Sequence, residues 1–277
     1  QADAIFLIPS HLESDVVRGQ NSGLALYLSG AYLIRTREIG NGLASGIKAS
    51  LAEQLTPILQ TAHLEPSLAL YEYPLYNPLG GYGSYIFPAV ASLIIHQTIL
   101  LGLAMLIASY REKGWVAKRS EFFAIFTAIL TIGCLGCLYL FGFTFWLYEY
   151  PHGGNFWGML LAVPIYVSCI IGLAMLVGSL VDMPERVGHL IVVTSVPLFL
   201  LTGTAWPHQA MPEWMQYLAW SLPSTNGVQM FVQLNQMGVA TSIVVPKLIY
   251  LATVAAILLA LSYYRLVMMQ PIKKEAD

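Results

Sequence analysis

Cys134 and Cys137 stand in a CxxC spacing, "GCLGC", which in a soluble protein cycles a disulfide or binds a metal. Here no histidine or acid lies close by in the sequence, and the motif carries two glycines, Gly133 and Gly136. Small residues on one stripe let helices approach closely in lipid, so the spacing reads as a packing surface. His96 and Gln97, in "IIHQT", are polar groups inside apolar sequence. Such groups either hydrogen-bond a partner helix or line a water-filled path; on the second reading His96 and Gln97 belong to a translocation path. His152 and His189 fall at segment edges, where an interface position explains them. No GxxxxGK[ST], HExxH or GxSxG occurs, so no catalytic residue and no metal site is assigned.

The surroundings of these residues are a membrane's. Only 10% of the 277 residues are charged and 57% are hydrophobic, with a mean hydropathy of +0.65. A soluble domain carries about a quarter charged residues. No Asp, Glu, Lys or Arg occurs between Glu72 and Arg111, Glu121 and Glu149, Glu149 and Asp182, or Lys247 and Arg265. Windows of about 20 apolar residues match the hydrocarbon thickness of a bilayer. The expected spans are 86–110, 122–147, 157–181, 188–204 and 247–269. The fourth is short and holds Pro197, so it should kink or stop short of a full crossing. A pI near 6.3 offers no basic surface for nucleic acid. All three cysteines fall in apolar spans, which argues against a disulfide framework.

Residues 1–80 differ. "AIFLIPS" (4–10) and "SGLALYLSG" (22–30) read as strands, and "EIGNGLASGIKASLAEQLTPIL" (38–59) as a helix that Pro57 stops or kinks. The fold class is therefore an α-helical polytopic membrane protein of about five transmembrane helices, 81–277, with a small α/β extracytoplasmic domain at the N-terminus, 1–80. Sidedness follows from lysine and arginine in the connections. Arg111, Lys113, Lys118 and Arg119 follow the first span, Arg186 the third, and Arg265, Lys273 and Lys274 the fifth, whereas "YEYPHGGNFW" holds neither residue type. The basic connections are expected in the cytoplasm, and residues 1–80 outside.

Between the last two spans lies "GTAWPHQAMPEWMQYLAWSLPSTN" (203–226), too long and too rich in tryptophan for a turn. Helical spacing places Met211, Trp214, Met215, Leu218 and Leu222 near one face, with Pro212 in a first-turn position. Residues 204–245 are read as a re-entrant or interfacial element of the outer leaflet, with Trp206, Pro207, Met211, Pro212 and Trp214 at the headgroup boundary. The first basic connection, "REKGWVAKRSEFFAIF", suits a short amphipathic helix that docks in a partner's groove, or equally a positive loop with an aromatic anchor.

Taken in order, four stretches resemble the permease subunits of ABC-2 type exporters, particularly bacterial members with a large extracytoplasmic domain. They are "AIFLIPSHLESDVVRGQ", "YNPLGGYGSYIFPAVASLIIHQTILLG", "YREKGW" and "GTAWPHQAMPEWMQYLAWSLPSTNGV". The likeness covers essentially the whole chain as the part after the family's first transmembrane helix, so a piece starting beyond that helix is expected. The family's usual E-x-G-T reads EKGW here. The resemblance implies a multi-pass protein of the bacterial inner membrane, embedded in lipid. It implies pairing with a second permease subunit, as homodimer or heterodimer, and a separate ABC ATPase subunit carrying ATP and Mg, with no cofactor in this chain. A periplasmic adaptor is a further implied partner. Arg111, Glu112, Lys113, Gly114 and Trp115 would couple to the ATPase, Trp115 as apolar anchor with Glu112 and Lys113 as orienting charges. Hydrophobic or amphiphilic cargo, such as drugs, lipids, glycan precursors or peptides, would move outward. The alternative class is a membrane-anchored sensor or envelope-assembly scaffold with a ligand-binding outer domain.

Overall fold

Leu24–Ser29 is buried along nearly its whole length, as a central strand must be. In the computed structural model, which describes residues 4–12, 14, 23–29, 40–47, 49–50, 53, 70–76, 82–181 and 183–269, it forms β2 of a sheet ordered β1-β2-β3. β1 (Ala4–Leu7) runs antiparallel to it, Ala4 opposite Leu28, and β3 (Leu70–Leu75) runs parallel, Tyr27 opposite Tyr73. The two tyrosine rings stack at 5.2 Å. β3 was not expected from sequence because it contains Pro74, which cannot donate to a ladder; an edge strand tolerates it. Residues 40–47 are helical and lie over β2, where a Cβ on Gly40 would stand 2.8 Å from the Leu28 side chain. Pro57 lies outside the described residues.

This sheet belongs to one compact unit, Gln1–Tyr85, and the membrane helices to another, Ile86–Asp277. Among the described residues five helices are long and apolar enough to cross a bilayer. α1 is Tyr82–Glu112. α2, Arg119–Cys137, continues through a π-helical turn, Leu138–Phe143, to Leu147. α3 is Phe156–Leu180 and α4 is Pro184–Leu201. Two shorter helices follow, α5 (Glu213–Trp220) and α6 (Pro223–Phe231), the second prolonged by a π turn, Val232–Gln236. The last span, α7 (Thr241–Tyr263), also ends in a π turn, Tyr264–Met268. It starts earlier than the sequence suggested, since Pro246 is carried inside the helix, and Lys247 therefore lies within the span.

α3 is the centre of the bundle: Tyr166, Val167, Ile170, Ile171, Ala174 and Met175 are fully enclosed. α2 reaches it through the glycines of the CxxC motif. A Cβ on Gly133 would stand 2.5 Å from Val167 and 2.9 Å from Ile99, and one on Gly136 would stand 2.9 Å from Ile95. The cysteines are free thiols beside this contact.

Hydrogen bonds define two ends. At the basic end the Ala117 amide donates to the Leu266 carbonyl, and Arg265 reaches the Ser179 carbonyl at 3.4 Å. At the aromatic end the Gly153 amide donates to the Asn235 carbonyl at 2.8 Å, and Trp146, Tyr148, Phe156 and Trp157 are exposed.

α4 has 18 residues, about 27 Å of helix, and ends at Leu201 with Pro197 inside it. The depth it leaves is filled by the α5–α6 hairpin. Val228 packs on Ala89 and Leu93 of α1, and Gly227 lies flat against the buried ring of Tyr166, which any Cβ would overlap. Overpacking of this kind costs about 1–3 kcal/mol. Gly227→Ala is therefore expected to lower the unfolding temperature of the detergent-purified protein by several degrees. Unchanged melting would mean the hairpin does not sit on Tyr166.

Candidate functional site: a capped helical hairpin and a tied basic loop

A chain that turns back inside a membrane exposes the last carbonyls of its first helix, and lipid offers them no partner. The α5–α6 turn meets this demand with side chains. Asn226 Nδ2 donates to the Trp220 carbonyl at 2.7 Å and to the Leu222 carbonyl at 3.0 Å. The Tyr250 hydroxyl donates to the Ser221 carbonyl at 2.6 Å. From Thr241 to Tyr250 is about 14 Å of helix, so the turn lies well below the end of α7.

The same turn is also fixed to the end of α4. The Leu201 carbonyl accepts from His208 Nε2–H at 2.9 Å and from the Thr225 hydroxyl at 3.2 Å. Gln229 Nε2 donates to His208 Nδ1 at 3.1 Å, which assigns the imidazole tautomer. Trp220 covers the imidazole at 5.0 Å between ring centroids. Gly203 makes room for it: its φ is +82°, and a Cβ would stand 2.5 Å from His208 Cε1. The returning strand of the hairpin is held by Asn155, whose Nδ2 donates to the Val239 carbonyl at 2.7 Å and to Thr241 Oγ1 at 3.0 Å.

The residues expected at a headgroup boundary divide between two faces. Met211 is buried with Ala219 and Leu201, and Trp206, Met215 and Leu222 pack against them. Trp214 and Leu218, expected on that same face, are exposed instead, with Tyr217 beside them. The packed stripe runs Met211, Met215, Ala219, because the small Ala219 lets α5 approach closely while Trp214 points away. Pro207 precedes a short 3₁₀ turn, His208–Ala210, and Pro212 precedes α5. His208, Asn226 and the whole of α6 were not foreseen as a unit. "PSTNGVQMFVQLNQ" is as polar as a loop, yet every residue from Ser224 to Gln236 is buried. The signal lay in Thr225, Gln229, Gln233 and Gln236, which recur at helical spacing.

His96 is 2% exposed and lies 6.4 Å from the Tyr166 ring. Among the described residues, His96 Nδ1 and both amide atoms of Gln97 are buried without a hydrogen-bond partner. Among the described residues these atoms make no bond to another helix.

At the basic end no separate amphipathic helix forms. α1 runs to Glu112, Gly114 turns the chain with φ +78°, and α2 begins at Arg119. Glu112, Lys113 and Gly114 are exposed and Arg111 half-buried. The Trp115 ring turns inward onto the core rather than outward as an anchor, edge-on to Tyr110 at 5.2 Å. Its Nε1–H donates to Glu121 Oε2 at 3.2 Å, and the same oxygen accepts the Lys118 amide at 3.0 Å. Glu121, not singled out by sequence, thus closes the loop. Among the described residues no three His, Cys, Asp or Glu side chains gather as a metal site would need.

Residues 1–264 match the family described as ABC-2 family transporter protein. The chain belongs to that family. It is thus a multi-pass protein of the inner membrane and the membrane permease part of an ABC transporter. A stretch of 156 residues is 22% identical to the "Probable multidrug ABC transporter permease YbhR" of Escherichia coli K12, covering 53% of this chain and 42% of that protein. The same figures hold for the protein of that name in Escherichia coli O157:H7. The match therefore spans under half the length of these relatives. No solved structure matches.

Each buried carbonyl left unpaired costs about 1–3 kcal/mol. Asn226→Leu keeps the volume and leaves the Trp220 carbonyl without its donor, while the Leu222 carbonyl still accepts the residue 226 amide; it is expected to destabilise the purified permease by about 1–3 kcal/mol in a denaturant or thermal unfolding series. A variant as stable as the parent would mean that Asn226 does not cap the turn.

Proposed function

We propose that this chain forms the membrane path of an ATP-driven exporter, with its basic end in the cytoplasm and its aromatic end and N-terminal unit outside. The carrying observation is the way the basic loop is tied. Its exposed tip, Glu112–Gly114, is backed by Trp115 packed on α1, by Glu121 of α2 and by the Leu266 carbonyl at the end of α7. A push on the tip reaches three spans at once, which is what an ATPase subunit resting there requires. Arg111, Glu112, Lys113 and Gly114 make the contact on this reading, and Trp115 transmits it. ATP and Mg reside on the separate ATPase, and a second permease subunit completes the path.

The lysine and arginine bias of the connections supports this sidedness. His96 and Gln97 are the buried polar groups that water or cargo would meet as the bundle opens. The cargo class is hydrophobic or amphiphilic: drugs, lipids, glycan precursors or peptides. The word multidrug in the relatives' name favours the first. A groove of about 370 Å³ in the N-terminal unit, lined by Phe6, Ile8, Leu12, Leu24, Leu43 and Ile47, offers an apolar surface to an adaptor or to cargo. It is also what favours the sensor or scaffold reading.

Co-purification of the full-length permease with a candidate ATPase separates these readings. Glu112→Lys with Lys113→Glu is expected to weaken ATPase retention. Trp115→Ala is expected to keep the ATPase bound but to lower cargo-stimulated hydrolysis several-fold, because the tip is then loose on the bundle. Full stimulation in Trp115→Ala would remove the loop from the coupling route. A parent protein that binds no ATPase at all would overturn the exporter reading.

A further inference from the structure

Lys247 is the one charged residue between Glu213 and Arg265, and it lies within a candidate membrane span. From Thr241 to Lys247 is about 9 Å of helix, a depth from which a lysine stem still brings its ammonium toward the headgroups. Its Nζ donates to the side-chain carbonyl of Gln233 at 2.8 Å. Among the described residues no carboxylate meets it, although Glu149 and Glu213 are at the same end of the bundle.

An ammonium has three donors and a full charge. One neutral amide satisfies a single donor and none of the charge, and in hydrocarbon the remainder calls for an anion. The surroundings leave access for one. Ile243, Lys247 and Tyr250 share a face of α7 at i, i+4 and i+7, with Ile243 exposed and Lys247 and Tyr250 half-buried. Across the seam stand Ser221 and Trp220 of the hairpin, both exposed, and the Tyr250 hydroxyl bridges to the Ser221 carbonyl. The seam thus combines a cation at headgroup depth, an amide beside it and an apolar flank of Ile243 and Trp220, which suits an acyl chain. A free inorganic anion would have no use for that flank.

We propose that Lys247 and Gln233 form a seat for the phosphate of an anionic phospholipid in the leaflet at the aromatic end, at the seam between α7 and the hairpin. The seat holds the hairpin against α7 from the lipid side. It rests on the membrane reading alone, so export or ATPase pairing can fail without touching it.

The test uses the intact full-length permease in detergent, titrated with phosphatidylglycerol, phosphatidylcholine or inorganic phosphate. Phosphatidylglycerol is expected to raise the unfolding temperature several degrees more than phosphatidylcholine does, and inorganic phosphate to leave it unmoved. Lys247→Arg should keep the difference and Lys247→Gln should abolish it. Equal stabilisation by the two lipids, or a Lys247→Gln protein that retains the preference, overturns the seat. An inorganic phosphate effect as large as that of phosphatidylglycerol overturns the lipid assignment. A second readout needs no variant. Phosphatidylglycerol should slow amine-specific labelling of Lys247 in the parent protein, read by peptide mass spectrometry, several-fold more than phosphatidylcholine does; equal labelling contradicts the proposal.

Discussion

Every backbone carbonyl that lies below the membrane surface outside a continuous helix must find its donor in the protein, and this one requirement organises the aromatic half of the bundle. α4 stops at Leu201 and the chain turns back between Trp220 and Pro223. The freed carbonyls of Leu201, Trp220 and Ser221 accept from His208, Thr225, Asn226 and Tyr250. These donors in turn dictate their neighbours. His208 needs Gly203 behind it and Gln229 on its other nitrogen. A helix carrying Asn226 and Gln229 must be buried on all sides, and Tyr166 of α3 with Ala89 and Leu93 of α1 provide those sides.

The basic half obeys a different economy. Its connection is short, and it is exposed where the charges are. Its stiffness comes from one carboxylate oxygen that accepts both an indole N–H and a main-chain amide. The loop is thereby tied to α1, α2 and the end of α7. The two halves meet in α3, whose enclosed residues pack both the spans and the hairpin. The tied loop at one end and the capped break in the helices at the other are joined through this one central helix.

Much of this was legible in the residues. The five spans follow from long runs without charge, and only their ends moved: α7 begins at Thr241, ahead of the expected 247, with Pro246 inside it. Gly133 and Gly136 announced a close helix contact, which Val167, Ile99 and Ile95 supply. Other features were hidden for physical reasons. β3 contains a proline that only an edge position excuses. α6 has a loop's composition, because its polar side chains serve a backbone that sequence does not show to be broken. Within α5 the small Ala219 decides the packed face and leaves Trp214 exposed, and a glutamate six residues after Trp115 draws that indole inward.

Amide hydrogen exchange on the full-length permease in lipid nanodiscs tests most directly whether α6 is a buried, capped helix. Peptides covering residues 224–236 should exchange as slowly as those of α3, far more slowly than the exposed tip at 112–114. Exchange of 224–236 at the rate of that tip would contradict a buried hairpin, and with it the capping on which the aromatic half depends.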